Sequence, residues 1–140
     1  MSVDVNYLAV FLAAVSSMVV GSIWYMPAVF GKAWMRLSGV KMQKMGGSQA
    51  GMTYGLTFVA SLVTAFVLAH VSFIANKFYG NSFLSDTVQT AFWLWLGFTA
   101  ARILVHDLFE FRRKKLTLLN SAHELVTVLV MALIIGGMGV

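Results

Sequence analysis

Four long apolar stretches alternate with short polar connections along this chain of 140 residues. The stretches cover approximately residues 7–30, 52–75, 87–109 and 116–140. Each holds about 20 residues, the length that an α-helix needs to cross a hydrocarbon core of ~30 Å. The pattern therefore predicts an all-α polytopic membrane protein, in which residues 1–140 form a single domain and an antiparallel bundle of four transmembrane helices.

Composition supports a chain that lies almost entirely in the bilayer. Hydrophobic residues make up 59% of the sequence and charged residues 11%, whereas a typical soluble domain has about 25% charged residues. Cysteine is absent, which excludes disulfides and thiolate metal sites. The residues before the first stretch include Asp4 but no Lys or Arg, so we expect this stretch to be a retained span rather than a signal peptide.

The basic residues indicate an orientation. Eight of the ten Lys and Arg residues lie in the first and third connections, which face the same side of a four-span protein. Basic loops tend to face the cytoplasm, so we predict a multi-pass protein of the bacterial inner (cytoplasmic) membrane with both termini outside. The net charge of +5 is placed to meet anionic headgroups, so we expect the lipid bilayer as a partner and no nucleic acid.

Ionisable and polar side chains cluster in the third and fourth stretches. Such groups at membrane depth are costly and usually face a bundle interior or water. Those in the third stretch recur every four residues and so share one helix face. The candidate polar site consists of Arg102, His106, Glu110, Asn120, His123 and Glu124.

Helical rise predicts an ion pair within this cluster. Arg102 lies roughly 15 Å along its helix from the basic run at Arg112, and Glu124 lies roughly 12 Å from Leu116. The two would then lie at one level on consecutive antiparallel helices, and we predict that they pair. The cluster is either a structural clamp between helices or a site that binds a substrate or relays protons. For Asp107 and Glu110, we favour simple charge balance with the adjacent basic run.

No catalytic or metal-binding motif accompanies the cluster. His106 and Glu110 could ligate one ion together with a residue of the next helix, but the Glu-x-x-His repeat of di-iron bundles is missing. No phosphate-binding loop or nucleophile elbow occurs. We therefore expect no metal, no cofactor and no enzymatic activity.

An aromatic string follows the first apolar stretch. Pro27 predicts a turn or kink, and the residues after it have the spacing of a short amphipathic segment on the membrane surface. The string is either an interfacial aromatic belt with a kink or a mouth over the polar cluster. Its residues are Trp24, Tyr25, Pro27, Phe30, Gly31, Lys32 and Trp34.

This string resembles a motif in a bacterial family of small four-span membrane proteins. Two later segments are similar to that family too, namely Trp95-Leu96-Gly97-Phe98 and Phe109-Glu110-Phe111-Arg112. That family carries a domain-of-unknown-function label. The resemblance covers most of the chain. It implies a four-helix membrane fold and no particular activity.

Three functions remain open. The first is a small oligomeric transporter or channel for a small solute or ion, using the polar site between the third and fourth stretches. The second is a non-catalytic accessory or structural subunit of a membrane complex. A membrane enzyme that acts on lipid or quinone ranks lowest.

Stripes of small residues every four positions predict close helix contacts, within one chain or between copies, and so fit a homo-oligomer or a complex. They comprise Ala13, Ser17 and Gly21; Gly47, Gly51 and Gly55; Gly97 and Ala101; and Ala132 and Gly136.

Overall fold

The computed structural model describes residues 3–41 and 45–140, so Lys44 of the first basic connection lies outside the described residues. Within these ranges the chain is helical. The elements are α1 (Tyr7–Trp24), α2 (Gly31–Ser38), α3 (Gly47–Tyr79), α4 (Phe83–Leu94), a π-helical segment (Trp95–Ala100), α5 (Ala101–Phe109) and α6 (Lys114–Met138). The segments of Phe83–Phe109 follow one another without a break, and this rod, α1, α3 and α6 are each long and apolar enough to cross a membrane. The predicted all-α fold with four candidate spans is confirmed.

The helix ends differ from the predicted spans for local reasons. Helix α1 ends at Trp24, short of residue 30, because the chain turns around Pro27, whose ring removes a backbone donor. Helix α3 is longer than predicted and ends where Gly80 adopts a left-handed conformation with φ 70°. Its 33 residues extend about 50 Å, more than the thickness of a hydrocarbon core.

The four spans form a ring in chain order. Helix α1 packs against α3 and α6, and α4 packs against the same two helices. Alanines dominate the core, which lets the backbones approach closely. Ala13 and Ala132, from two of the predicted small-residue stripes, are fully buried. The core comprises Ala9, Val10, Ala13, Ala65, Leu68, Ala69, Ala91, Met131, Ala132 and Ile135.

The bundle is tight at one end and open at the other. We call the end that carries α2 and the run Arg112–Lys115 the basic end; Arg113 Nη1 donates to the Arg36 carbonyl oxygen at 3.3 Å across it. Away from this end, a Cβ on Gly136 would lie 2.8 Å from Leu84 Cα, so α4 and α6 are nearly in backbone contact. Toward the basic end α3 loses its packing, since it buries side chains only from Ala65 onward, whereas α6 remains buried there at Leu116 and Thr117.

A buried carboxylate organises the loop at the tight end. Asp86 is 2% exposed. Asn76 Nδ2 donates to its Oδ2 at 2.8 Å, and Asn81 Nδ2 donates to its Oδ1 at 2.9 Å. The sequence predicts only a short turn here, whereas the structure shows a polar clamp that joins the end of α3 to the start of α4.

Candidate functional site at the basic end

The aromatic string folds into a compact turn between α1 and α2. The Phe30 amide donates to the Trp24 carbonyl oxygen at 3.1 Å, and the Gly31 amide donates to that of Met26 at 2.9 Å. The rings of Trp24 and Phe30 pack with centroids 4.4 Å apart. Gly31 is buried, and a Cβ there would collide with the Tyr25 carbonyl oxygen. The glycine of the string is therefore required by close backbone approach.

This turn contacts the polar face of α6. The Tyr25 ring lies 5.0 Å from the His123 ring and 5.6 Å from the Trp34 ring. The Tyr25 hydroxyl donates to Asn120 Oδ1 at 3.3 Å. The Trp24 ring also lies 5.8 Å from His123. The structure thus brings the aromatic string and half of the predicted polar cluster into one site, whereas Lys32 is exposed to the surroundings.

Tyr25 has a strongly shifted acidity. It lies just beyond the last residue of α1. Burial, and secondarily the negative charge of Glu124, raises the pKa of Tyr25 to about 12, because both disfavour the phenolate. Both effects favour the protonated phenol, which is the form that donates to Asn120.

The nearest basic group to Glu124 is a histidine rather than a lysine or an arginine. Glu124 Oε1 lies 3.4 Å from His123 Nδ1. Within residues 3–41 and 45–140, no Lys or Arg nitrogen lies within 4.0 Å of this carboxylate. The Glu124 side chain is 41% exposed. It therefore faces open space toward the basic end, where α3 loses its packing.

The predicted Arg102–Glu124 ion pair is not formed. Arg102 is exposed, whereas Asp107 of the same helix is buried against α6. Asp107 points about 100° from the face shared by Arg102 and His106, so that face is rotated away from α6. The π-helical segment immediately before α5 changes the number of residues per helical turn. The predicted ion pair assumed a uniform α-helical period, which does not include such a change.

Asp107 and Glu110 are occupied within the α5–α6 hairpin. The Thr117 hydroxyl donates to Asp107 Oδ2 at 2.6 Å. Arg112 Nε lies 2.6 Å from Glu110 Oε2 and 3.8 Å from Asp107 Oδ1. This arrangement agrees with the expected charge balance beside the basic run, and Asp107 additionally joins the two helices.

Two of the cavities contain predicted site residues of the cluster around Glu124. The first is the basic cleft, which measures about 1370 Å³ and opens at the basic end. Arg102 does not line it, and Arg36 and Arg113 do. The predicted site residues that line it are His106, Glu110, Asn120 and Glu124, together with Tyr25 and Trp34 of the aromatic string.

The second cavity, which we call the lateral groove, measures about 660 Å³ and lies among α1, α3 and α6. His123 and Pro27 line this groove. Three residues line both cavities, namely Glu124, Tyr25 and Thr53. The Glu124 carboxylate thus stands where the basic cleft and the lateral groove meet.

A stripe of hydroxyls on α3, which our sequence interpretation did not treat as a site, lines the lateral groove. One member of the stripe also joins α3 to α1, since Ser17 Oγ donates to Ser61 Oγ at 2.7 Å. The signal that could have revealed the stripe is its helical spacing of i, i+4, i+8 and i+11. Its members are Thr53, Thr57, Ser61 and Thr64.

Among residues 3–41 and 45–140, no group of three or more His, Asp or Glu side chains is placed to hold a metal ion.

Comparisons with known proteins identify the family alone. No curated protein and no solved structure matches the sequence. The family profile described as "Protein of unknown function (DUF1761)" matches residues 8–136. The chain, with four membrane-span-like helices and a polar site at its open end, therefore belongs to the DUF1761 family.

Proposed function

We propose that this protein is a small transporter or channel for a small solute or ion, with Glu124 in its binding site. The observation that carries the proposal is that Glu124 lines both the basic cleft and the lateral groove. A carboxylate at membrane depth is costly, and the nearest basic group to Glu124 is a histidine at 3.4 Å. Both cavities give a solute access to this carboxylate, which is what loading of a solute requires.

The proposal includes an orientation and an oligomer. We place the basic end in the cytoplasm of a bacterial inner membrane, where basic loops are favoured. One chain has no central route, because its tight half is closed by a core of alanines and Met131. Transport would therefore involve a homo-oligomer. Contact with a neighbouring protomer would open the tight end of the bundle, or would form a path for the solute between the two protomers.

Reconstitution into liposomes tests the proposal. Currents on a solid-supported membrane and the internal pH would be recorded while K⁺, Na⁺, protons, amino acids and organic ions are applied in turn. We expect at least one solute to move in wild-type vesicles and to stop moving in Glu124→Gln. The control Asp4→Asn removes an exposed carboxylate that lines neither cavity and should leave transport intact. Equal flux in Glu124→Gln and wild type would contradict a role for Glu124.

A second candidate function is a non-catalytic subunit of a membrane complex. It is favoured by small residues with open surroundings in the part of the chain that the structure describes: a Cβ on Gly47, Gly51, Gly55 or Gly97 would meet no described atom within 4 Å. Exposed small residues of this kind permit close approach of another helix. If Glu124→Gln lowers co-purification of a partner protein rather than flux, this candidate is the better one.

A further inference from the structure

We infer that the solute is a monovalent organic cation, and that it binds in the lateral groove against the Glu124 carboxylate. This inference rests on the proposed function and names its substrate class. Charge supplies the first argument. Among residues 3–41 and 45–140, the groove lining includes no Lys or Arg, and Glu124 is its single acidic residue. His123 Nδ1 lies 3.4 Å from this carboxylate and is a counter-charge only when protonated, whereas a quaternary or protonated organic ligand would supply a full positive charge.

Three hydroxyls of α3 present acceptors rather than donors to the groove. Thr57 Oγ1 donates to the Thr53 carbonyl oxygen at 2.7 Å, and Ser61 Oγ donates to that of Thr57 at 2.9 Å. Thr64 Oγ1 donates to the Ala60 carbonyl oxygen at 3.0 Å. Each hydroxyl has one hydrogen, so these hydrogens are used within α3. The oxygen lone pairs remain for the groove, and lone pairs attract a cation and repel an anion.

Aromatic rings and size agree with an organic cation. Tyr25 and Tyr54 line the groove, and ring faces attract ammonium groups within about 6 Å. The volume of about 660 Å³ falls in the range of roughly 300–1,000 Å³ that is common for small-molecule sites. A bare metal ion would need a closer set of oxygen ligands.

The lining of the lateral groove indicates a route of entry. The basic cleft is lined by Arg36, Arg112 and Arg113 and also by Asp107, Glu110 and Glu124, so its charges balance and select no route. The lateral groove has apolar side chains in its lining, such as Met18 and Met26. An organic cation with an apolar body partitions into the bilayer and can enter the groove from there.

Binding of benzyltrimethylammonium tests the inference. The full-length protein in detergent micelles would be titrated calorimetrically with this cation, with benzylsulfonate as an anion of similar shape and with benzyl alcohol as a neutral analogue. We expect saturable binding of the cation alone. Glu124→Gln should weaken it by about tenfold or more, because the charge partner is lost. Asp4→Asn should bind as wild type does.

A second pair of variants keeps the test informative if Glu124→Gln fails to fold. Tyr54 is 56% exposed, so its substitution should leave folding intact. Tyr54→Phe keeps the ring and should keep the affinity, whereas Tyr54→Leu removes the ring face and should weaken binding severalfold. Absent cation binding in wild type, equal binding of benzylsulfonate, or full affinity in both Glu124→Gln and Tyr54→Leu would overturn the inference.

The same preparation separates failure of the inference from failure of the proposed function. If another solute moves across vesicles in a Glu124-dependent way while benzyltrimethylammonium does not bind, the transport function stands and the substrate class is wrong. If the cation binds at Glu124 but no solute crosses the membrane, the transport function is wrong and the groove is a binding site only.

Discussion

The Tyr25 hydroxyl donates a hydrogen bond to Asn120 Oδ1 at 3.3 Å. This contact joins the turn after α1 to the polar face of α6, and it brings two motifs that are far apart in the sequence into one site. It also fixes the Tyr25 ring beside His123, at the wall that the basic cleft and the lateral groove share. This contact therefore helps to position Tyr25 within the site.

Loss of this hydrogen bond should have a small, coupled effect on stability. We expect Tyr25→Phe and Asn120→Ala each to lower the free energy of unfolding, with a coupling energy of about 0.5–1.5 kcal/mol between them. A double-mutant cycle of unfolding in mixed micelles measures it. Tyr79→Phe is the control, because Tyr79 is exposed at the other end of the bundle. Strictly additive effects would show that the contact contributes nothing.

The contact between Asp107 and Thr117 should stabilise the α5–α6 hairpin. Thr117→Val leaves the buried Asp107 carboxylate without its hydroxyl donor, which should lower the unfolding free energy by about 1–3 kcal/mol. Thr117→Ser keeps the hydroxyl and should retain most of the stability. Thermal denaturation in detergent compares the two variants, and equal midpoints would contradict the assignment.

Gly31 should not tolerate a side chain. Gly31→Ala would place a Cβ against the Tyr25 carbonyl oxygen, and relief of that collision would displace the turn that carries the Tyr25 ring. We expect a loss of about 1–3 kcal/mol, as for overpacked cores. The control is Gly137→Ala on α6, where a Cβ meets no atom within 4 Å. The prediction fails if both alanine variants melt at the wild-type temperature.

The Asp86 clamp at the tight end should be a purely structural device. Asp86→Ala leaves the Asn76 and Asn81 side-chain amides without their carboxylate acceptor, so stability should fall by about 1–3 kcal/mol. Flux per folded protein should be unchanged, because Asp86 lines neither the basic cleft nor the lateral groove. Reduced flux at an unchanged melting temperature would instead place Asp86 on the transport route.

The proposed orientation can be tested without background labelling, because the chain has no cysteine. Val40→Cys lies near the basic end and Tyr79→Cys at the tight end, and both positions are exposed. In intact cells, a membrane-impermeant maleimide should label Tyr79→Cys and reach Val40→Cys only after lysis. The reverse pattern would show that the basic end faces outward.

The sequence by itself determined the class of fold and most of the site's ingredients. Apolar stretches long enough to span a bilayer dictate helices, because every backbone group must be hydrogen-bonded within lipid. Local chemistry also predicted the turn at Pro27 and the amphipathic segment observed as α2, Gly31–Ser38. These features depend on residues close together in the chain, so spacing is sufficient to find them.

Only the tertiary structure decided which side chains meet. The π-helical segment Trp95–Ala100 and the packing of Asp107 against α6 leave Arg102 outside the site, because a change of helical period alters the face that follows. The loss of α3 packing toward the basic end created the lateral groove beside Glu124. Helix rotation and splay result from packing over the whole bundle, which one helix's sequence pattern does not encode.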